Sequence, residues 1–468
     1  MMNLKTFPFS TLRTKIRIKI LVLLLISISV LVDCKKKDDD LFPLFALAAL
    51  NSNSSTVSGF TIGGTISGLT SGGLVLQNNG ADDLTIPSGA TTFTFATRLS
   101  SGTSYSVTMK TSPNDLYCSL SNTSGTTTAN VTSISIACGG LKVYSGGYNA
   151  NTSNVLVAGY WKDSTWTALP SIDSTQNSSV NTQFFSGSDH YTAGYSSDAN
   201  GVQVPGYWKN GTWTALTPVD STKNSEVKSI FVSGSDVYCG GYSTNSSSVK
   251  IPGFWKNGTW TALSALTTDK DSEVRSMYVS GSDVYAGGHS NNSSDISVPG
   301  YWKNTTWTAL IPLDSTKYSY VNSILVSGSD LYAAGRSQNS SSVIVPGYWK
   351  NGTWNGLTPI DTSKGAEVYS ILLSGTDIYC GGYAYNLSNI TVPGYWKNGT
   401  WNALTPLDTS KSSEVRSLYL YGSDLYSGGF ALNTGPPAPL YWKNSTTNAL
   451  TPLSTTKPSY VNTIVLGF

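Results

Sequence analysis

The sequence predicts an all-β chain whose main body is a seven-bladed β-propeller, preceded by a small β-sandwich domain. Three observations predict it. A Tyr/Phe-Trp pair returns at Tyr160-Trp161, Tyr207-Trp208, Phe254-Trp255, Tyr301-Trp302, Tyr348-Trp349, Tyr395-Trp396 and Tyr441-Trp442, at spacings of 47, 47, 47, 47, 47 and 46 residues. A fixed period in the forties, filled with short strand signals, is the mark of a propeller. Each period also holds four strand-like runs without helical periodicity; in the second copy these are 180–186, 190–195, 202–209 and 212–216. Finally, the turns fit. Asn210-Gly211 joins the last two runs, and Asn-Gly supplies the positive φ angles of a type I′ hairpin turn. The pair recurs at Asn257-Gly258, Asn351-Gly352 and Asn398-Gly399, and softens to Asn304-Thr305 and Asn444-Ser445.

The repeat region, 141–468, begins on a second strand and stops on a first strand, 461–466. That last piece is expected to pair with 141–148, so that the closing blade is shared by the N- and C-terminal strands. Such a ring leaves no long unpaired sheet edge. All 13 tryptophans lie in the repeats: seven in the pairs above, and six at Trp166, Trp213, Trp260, Trp307, Trp354 and Trp401, with Thr447 in the seventh place. They are expected to wedge between neighbouring sheets. Burying one removes roughly 150–250 Å² from water, on the order of 5 kcal/mol as an upper figure.

Within each copy a tyrosine on the second strand runs into a glycine doublet, as in Tyr238-Cys239-Gly240-Gly241. A tyrosine and a tryptophan six residues apart follow, as in Tyr207 and Trp213. In this the repeats resemble the kelch repeat over 141–468. Ala193 and Ala334 replace the first glycine in two copies, and a further Trp follows each Tyr/Phe. The resemblance implies a propeller with a binding role. Galactose oxidase carries copper on the same scaffold. Here the only two histidines, His190 and His289, fall in different repeats at different positions, so no copper set converges. No Ser-His-Asp arrangement or Cys/His metal spacing stands out, and no metal or cofactor is expected.

Residues 1–33 read as a signal peptide: Lys5, Arg13, Lys15, Arg17 and Lys19 precede an apolar run, 20–32, too short to span a bilayer as a helix. Leu31-Val32-Asp33-Cys34 resembles a bacterial lipobox, with Asp33 where a small residue is usual. The resemblance implies lipidation at Cys34 and anchoring in the membrane. Residues 34–56 form a charged and Ser/Asn-rich tether, interrupted by an apolar run, 41–50, that either packs on the next domain or lies at the membrane surface. From 57 to 140 the composition turns to Thr, Ser, Gly and Val, with alternating runs 73–77, 92–96, 105–109 and 131–137. Six or seven short strands are expected there, as a sandwich that resembles the Ig-like or prealbumin-like modules of exported bacterial proteins. In an oxidising compartment Cys118 and Cys138 are expected to form a disulfide, contributing roughly 3 kcal/mol on the chain-entropy model. Cys239 and Cys380 share a repeat position with Ser145, Thr192, Ala286, Ala333 and Ser427, which reads as a small buried slot.

Tight first-to-second and third-to-fourth turns leave one rim of the ring plain. The other rim carries the longer loops, such as 218–226 and 243–249, where binding concentrates. Two positions on it vary between otherwise uniform copies: Tyr148, Tyr195, Tyr242, His289, Arg336, Tyr383 and Phe430; and Asn181, Lys228, Arg275, Asn322, Tyr369, Arg416 and Asn462. Aromatic and basic side chains around a channel mouth suit stacking on sugars or holding an acidic group. The candidate ligand-binding residues are accordingly Tyr148, Tyr195, Tyr242, His289, Arg336, Tyr383, Phe430, Lys228, Arg275 and Arg416, although loop packing accounts for such side chains without a ligand. Lys223, Lys270, Lys364 and Lys411 are expected to pair with the glutamates three residues on. Asp189, Asp236, Asp283, Asp330, Asp377 and Asp424 are expected to cap hairpin amides.

The leader through Asp33 carries five basic residues and one acidic, so its removal takes the net charge from +2 to about −2. With no basic face or run, nucleic acid is not an expected partner. The expected role is a monomeric, non-enzymatic cell-envelope lipoprotein that binds a protein or glycan through the long-loop rim. The alternative is a polysaccharide lyase or hydrolase working in the funnel.

Overall fold

The computed structural model describes residues 59–113 and 116–468. The expected signal peptide, Cys34 and the tether lie outside the described residues. The rest is all-β: 36 strands in nine four-stranded sheets.

Two of the sheets come from residues before Leu141. Eight strands form there rather than six or seven, because short pieces such as Thr92–Thr94 and Ser124–Thr126 pair at sheet edges. Ile62, Ile66, Leu74, Leu76, Phe93, Val107, Ile134 and Ile136, drawn from both sheets, share one hydrophobic core. Cys118 and Cys138 face each other on adjacent antiparallel strands and are joined by a disulfide.

The other seven sheets are all antiparallel, and six of them have the order first-second-third-fourth in chain sequence. In the second copy the strands are Ser178–Ser186, Asp189–Ser197, Gln203–Lys209 and Thr212–Ala215. Gly187 alone has positive φ in the first turn, the pattern of a type II′ turn, whereas Asn210 and Gly211 both have it in the last, as type I′ requires. Both turns follow the twist of the strands they join. The exception to consecutive order is the sheet holding Lys142–Ala150, whose inner edge is the chain's last strand, Ser459–Gly467. The expected pairing of the two ends is observed.

Successive inner strands pack side by side, and Ser178–Ser186 packs against both Lys142–Ala150 and Ser459–Gly467. The ring therefore closes: the chain folds as an all-β propeller. Seven tryptophans fasten neighbouring sheets. Each is fully buried and donates its indole N–H to a carbonyl in the connection leaving the preceding sheet, as Trp208 does to Pro170 (2.7 Å) and Trp302 to Ser264 (2.6 Å). Each of the six other tryptophans lies half-buried against the buried one of its own sheet, ring centres 4.3–4.4 Å apart. These rings cover a glycine of the third strand; a β-carbon on Gly206 would meet Trp213 at 2.3 Å. In the last sheet Thr447 replaces the tryptophan and the buried Leu440 replaces the glycine, so the volume is refilled. Cys239 and Cys380 are free and buried, as are the small residues at their equivalents.

The recurring aspartates do not cap backbone amides. Asp189 pairs with Lys209 (2.7 Å) and accepts from the side chain of Asn210 (2.7 Å), while Asn210 itself accepts from the amide of His190 (2.8 Å). The arrangement repeats at Asp236, Asp283, Asp330, Asp377 and Asp424. The asparagine's left-handed turn conformation brings its side chain back to that amide, leaving the aspartate for the lysine. Such exposed pairs are screened by solvent and contribute little to stability.

Candidate functional site

A cavity of about 640 Å³ lies at the axis, lined by the inner strands. What aims side chains into it is a bulge. In each ring sheet the inner strand's register slips by one residue just after its buried valine: Val180 faces Gly194, yet Thr182 faces Ala193. The residue left without a partner is Asn181, and in the other sheets it is Lys228, Arg275, Asn322, Tyr369, Arg416 and Asn462. A bulge re-aims side chains and ends regular pairing. Here it turns two consecutive residues toward the axis, and all seven bulged residues line the cavity. One level on, the following residues make a hydroxyl ring: Thr182, Ser229, Ser276, Ser323, Ser370, Ser417 and Thr463.

The bulge also explains the glycine doublet. It presses the inner strand's backbone against the second glycine, where a β-carbon on Gly194 would stand 2.0 Å from the carbonyl oxygen of Ser179. The first glycine meets side chains of the neighbouring sheet instead, such as Met277 beside Gly240, so alanine is accepted there as Ala193 and Ala334.

The other variable position divides. Tyr148 and Tyr195 line the cavity, and burial raises both hydroxyls to a pKa of about 12. Tyr242, His289, Arg336, Tyr383 and Phe430 stand behind its wall and hold it in place. The Tyr242 hydroxyl donates to Glu226 (3.2 Å), and Arg336 donates to Glu367 (3.1 Å). His289 meets Tyr320 edge-on, Tyr383 lies against Tyr369, and Phe430 packs on Tyr460.

Sequence reasoning missed two sets: the hydroxyl ring, and the glutamates directly before the inner valine, at Glu226, Glu273, Glu367 and Glu414. The recurring Glu-Val dipeptide was the available signal for the second. These carboxylates do not pair with the lysines three residues before them. Glu226 is bound by Lys228 (2.7 Å) and Asn181 (2.7 Å), and Glu273 by Arg275 (2.8 Å) and Lys250 (3.4 Å). Glu367 is bound by Arg336 (3.1 Å) and Asn322 (2.9 Å), and Glu414 by Arg416 (3.5 Å). The reason is geometric: the lysines sit on the loop, and Lys223, for one, reaches Ser248 instead. Bonds also run from sheet to sheet around the mouth, from Arg275 to Asn322 (2.9 Å), from Arg416 to Asn462 (3.3 Å) and from Asn462 to the Val180 carbonyl (2.9 Å).

Burial alone would raise the Glu273 carboxyl, but Arg275, His289, Lys228 and Lys250 together pull it down to about 2. Glu414 is pushed the other way, upward, chiefly by burial. Among the described residues no group of three or more His, Cys, Asp or Glu side chains is placed to hold a metal ion.

No family model and no curated protein matches the chain. Among solved structures it is similar to the six-bladed β-propeller fucose lectin of Aleuria aurantia, with 14% identity over 58% of this chain and 95% of that one and a TM-score of 0.36. It is also similar to AofleA from Arthrobotrys oligospora (11%, 61% and 88%, TM-score 0.35). A third is a putative 6-phosphogluconolactonase from Bacteroides fragilis (12%, 70% and 98%, TM-score 0.35). At such TM-scores none of them bears on the ligand, and the propeller is read from the chain's own sheets.

Proposed function

We propose that this chain is an exported lipoprotein of the cell envelope, anchored through Cys34, whose seven-bladed, kelch-like propeller binds a glycan at the axial mouth. An Ig-like sandwich stands between anchor and ring, and the molecule acts by binding rather than turnover. One observation carries the reading: seven equivalent bulged residues, uniform in backbone and varied in side chain, converge on one cavity. A site read from varied side chains on a repeated frame is how a rigid scaffold acquires a specific ligand. Tyr148, Tyr195 and Tyr369 supply rings for stacking, and the amides and guanidinium groups supply directional bonds.

Glycan-array binding by the purified protein tests this, with Tyr369→Ala expected to lower retained signal at least tenfold. No retained glycan, or full retention by the variant, overturns it. Incorporation of labelled palmitate that is lost in Cys34→Ala tests the anchor. Glu414 alone speaks for the enzymatic alternative, because burial shifts its carboxyl upward, the direction in which a general acid is tuned. Turnover of a bound polysaccharide that stops in Glu414→Gln would establish that alternative.

A further inference from the structure

The lining of the cavity keeps unspent donors, while its two carboxylates, Glu226 and Glu273, are already bound by Lys228 and Arg275, and this assigns the ligand's chemistry. Ser229 accepts the backbone N–H of Met277 from the next inner strand (2.9 Å), and Ser276 that of Ile324 (3.1 Å). Ser323, Ser370 and Ser417 do the same for Ile371, Leu418 and Ile464 (3.2–3.3 Å). An oxygen committed as acceptor in this way still has its own proton to give. None of these five hydroxyls donates to a protein acceptor among the described residues, and all five face the axial cavity. A ring of O–H donors thus surrounds the throat.

One level above it stand Lys228, Arg275 and Arg416. Their glutamate partners take only part of their donor capacity: Arg275 spends Nε on Glu273 and one Nη1 bond on Asn322, leaving its Nη2 hydrogens. The two signs of charge also sit at different depths. The side chains of Lys228, Arg275 and Arg416 are 31%, 30% and 36% exposed, whereas those of Glu226 and Glu273 are 10% and 9% exposed. The wall is therefore close to neutral in sum but positive at its surface. An occupant that brings oxygen acceptors and negative charge satisfies both levels together, which a neutral hydroxylated ligand does not.

We propose that the throat receives the carboxylate of an acidic sugar, with the hydroxyl ring and the three cations around it and Tyr148, Tyr195 and Tyr369 flanking the sugar ring. This rests on the glycan-binding reading and names its ligand class. The test is calorimetric titration of the purified protein with three probes: an oligogalacturonate, the same oligomer fully methyl-esterified, and the peptide Ala-Ala-Ala with a free C-terminus. The oligogalacturonate is expected to bind at least tenfold more tightly than its ester and to weaken as salt rises from 50 to 300 mM, on the order of the range over which screening changes. Equal binding of acid and ester overturns the inference while leaving a glycan site at the mouth. Failure of both sugars overturns the inference and that reading together. Tighter binding of the peptide overturns the choice of a sugar. Arg275→Gln is expected to erase the preference for acid over ester, and because this is a ratio on one folded variant, a general loss of stability does not mimic it. Retention of the full preference in that variant counts against the proposal.

Discussion

A β-carbon on Gly241 would stand 2.0 Å from the carbonyl oxygen of Glu226. The contact exists because the bulge at Lys228 presses the inner strand onto its neighbour, so the residue that frames the site and the glycine that permits it are one feature. Gly241→Ala is expected to cost about 2–3 kcal/mol, by displacing backbone that has nowhere to go. Gly240→Ala is expected to cost under about 1.5 kcal/mol, since the neighbour it meets is the flexible end of Met277. Urea titration of the two variants checks the order.

At the closing seam Trp161 donates to the carbonyl of Thr451 at 2.8 Å across 290 residues of chain, beside the pairing of the two end strands. Trp161→Phe removes this bond, strands a carbonyl and leaves a cavity, at an expected cost of about 2–4 kcal/mol. Trp302→Phe, inside the ring, is expected to cost the same, because the closing seam repeats the other six. Denaturation midpoints that differ widely would show the seam to be unlike the rest.

The exchange of tryptophan for Thr447 and glycine for Leu440 in the last sheet makes a swap testable elsewhere. Gly394→Leu alone is expected to lose about 3 kcal/mol or more, because its β-carbon would meet both the Trp401 ring and the Asn402 carbonyl oxygen at 2.5 Å, only the first of which the swap removes. Adding Trp401→Thr is expected to recover at least about 1 kcal/mol, a coupling that a double-mutant cycle measures.

His190 is enclosed by Phe185, Tyr144 and Tyr160 and bonded to Gln183 (2.9 Å), and burial holds its pKa at about 3, below the usual 6.5. A histidine whose folded pKa is depressed stabilises the fold above the unfolded pKa, and that contribution is lost as pH falls from about 6.5 toward about 3. The expected slope is about 1.4 kcal/mol per pH unit in this window. His190→Gln should flatten the fall in stability between pH 6.5 and 5, and an unchanged slope would mean the ring is charged in the folded state.

The period, the turns, the sheet order and the pairing of 461–466 with the start of the ring were legible because each depends on local chemistry repeated seven times. The disulfide was legible from two cysteines in one short module. The bulge was not, because Val227, Lys228 and Ser229 carry no mark that distinguishes a slipped register from plain alternation. Without it, Tyr242 and Phe430 read as lining residues when they buttress the wall, and Ser229 passes unnoticed although it faces the axis. The glutamates were misread for a similar reason: nearness in sequence suggested Lys223 for Glu226, while strand geometry gives it Lys228.

A crystal structure of the protein with a bound oligosaccharide tests the central claim most directly. The account predicts ligand density at the axis, within bonding distance of Lys228, Arg275 and Arg416. Density confined to the outer grooves, such as the one lined by Ile390, Leu404 and Lys411, with the axis holding only water, would contradict it.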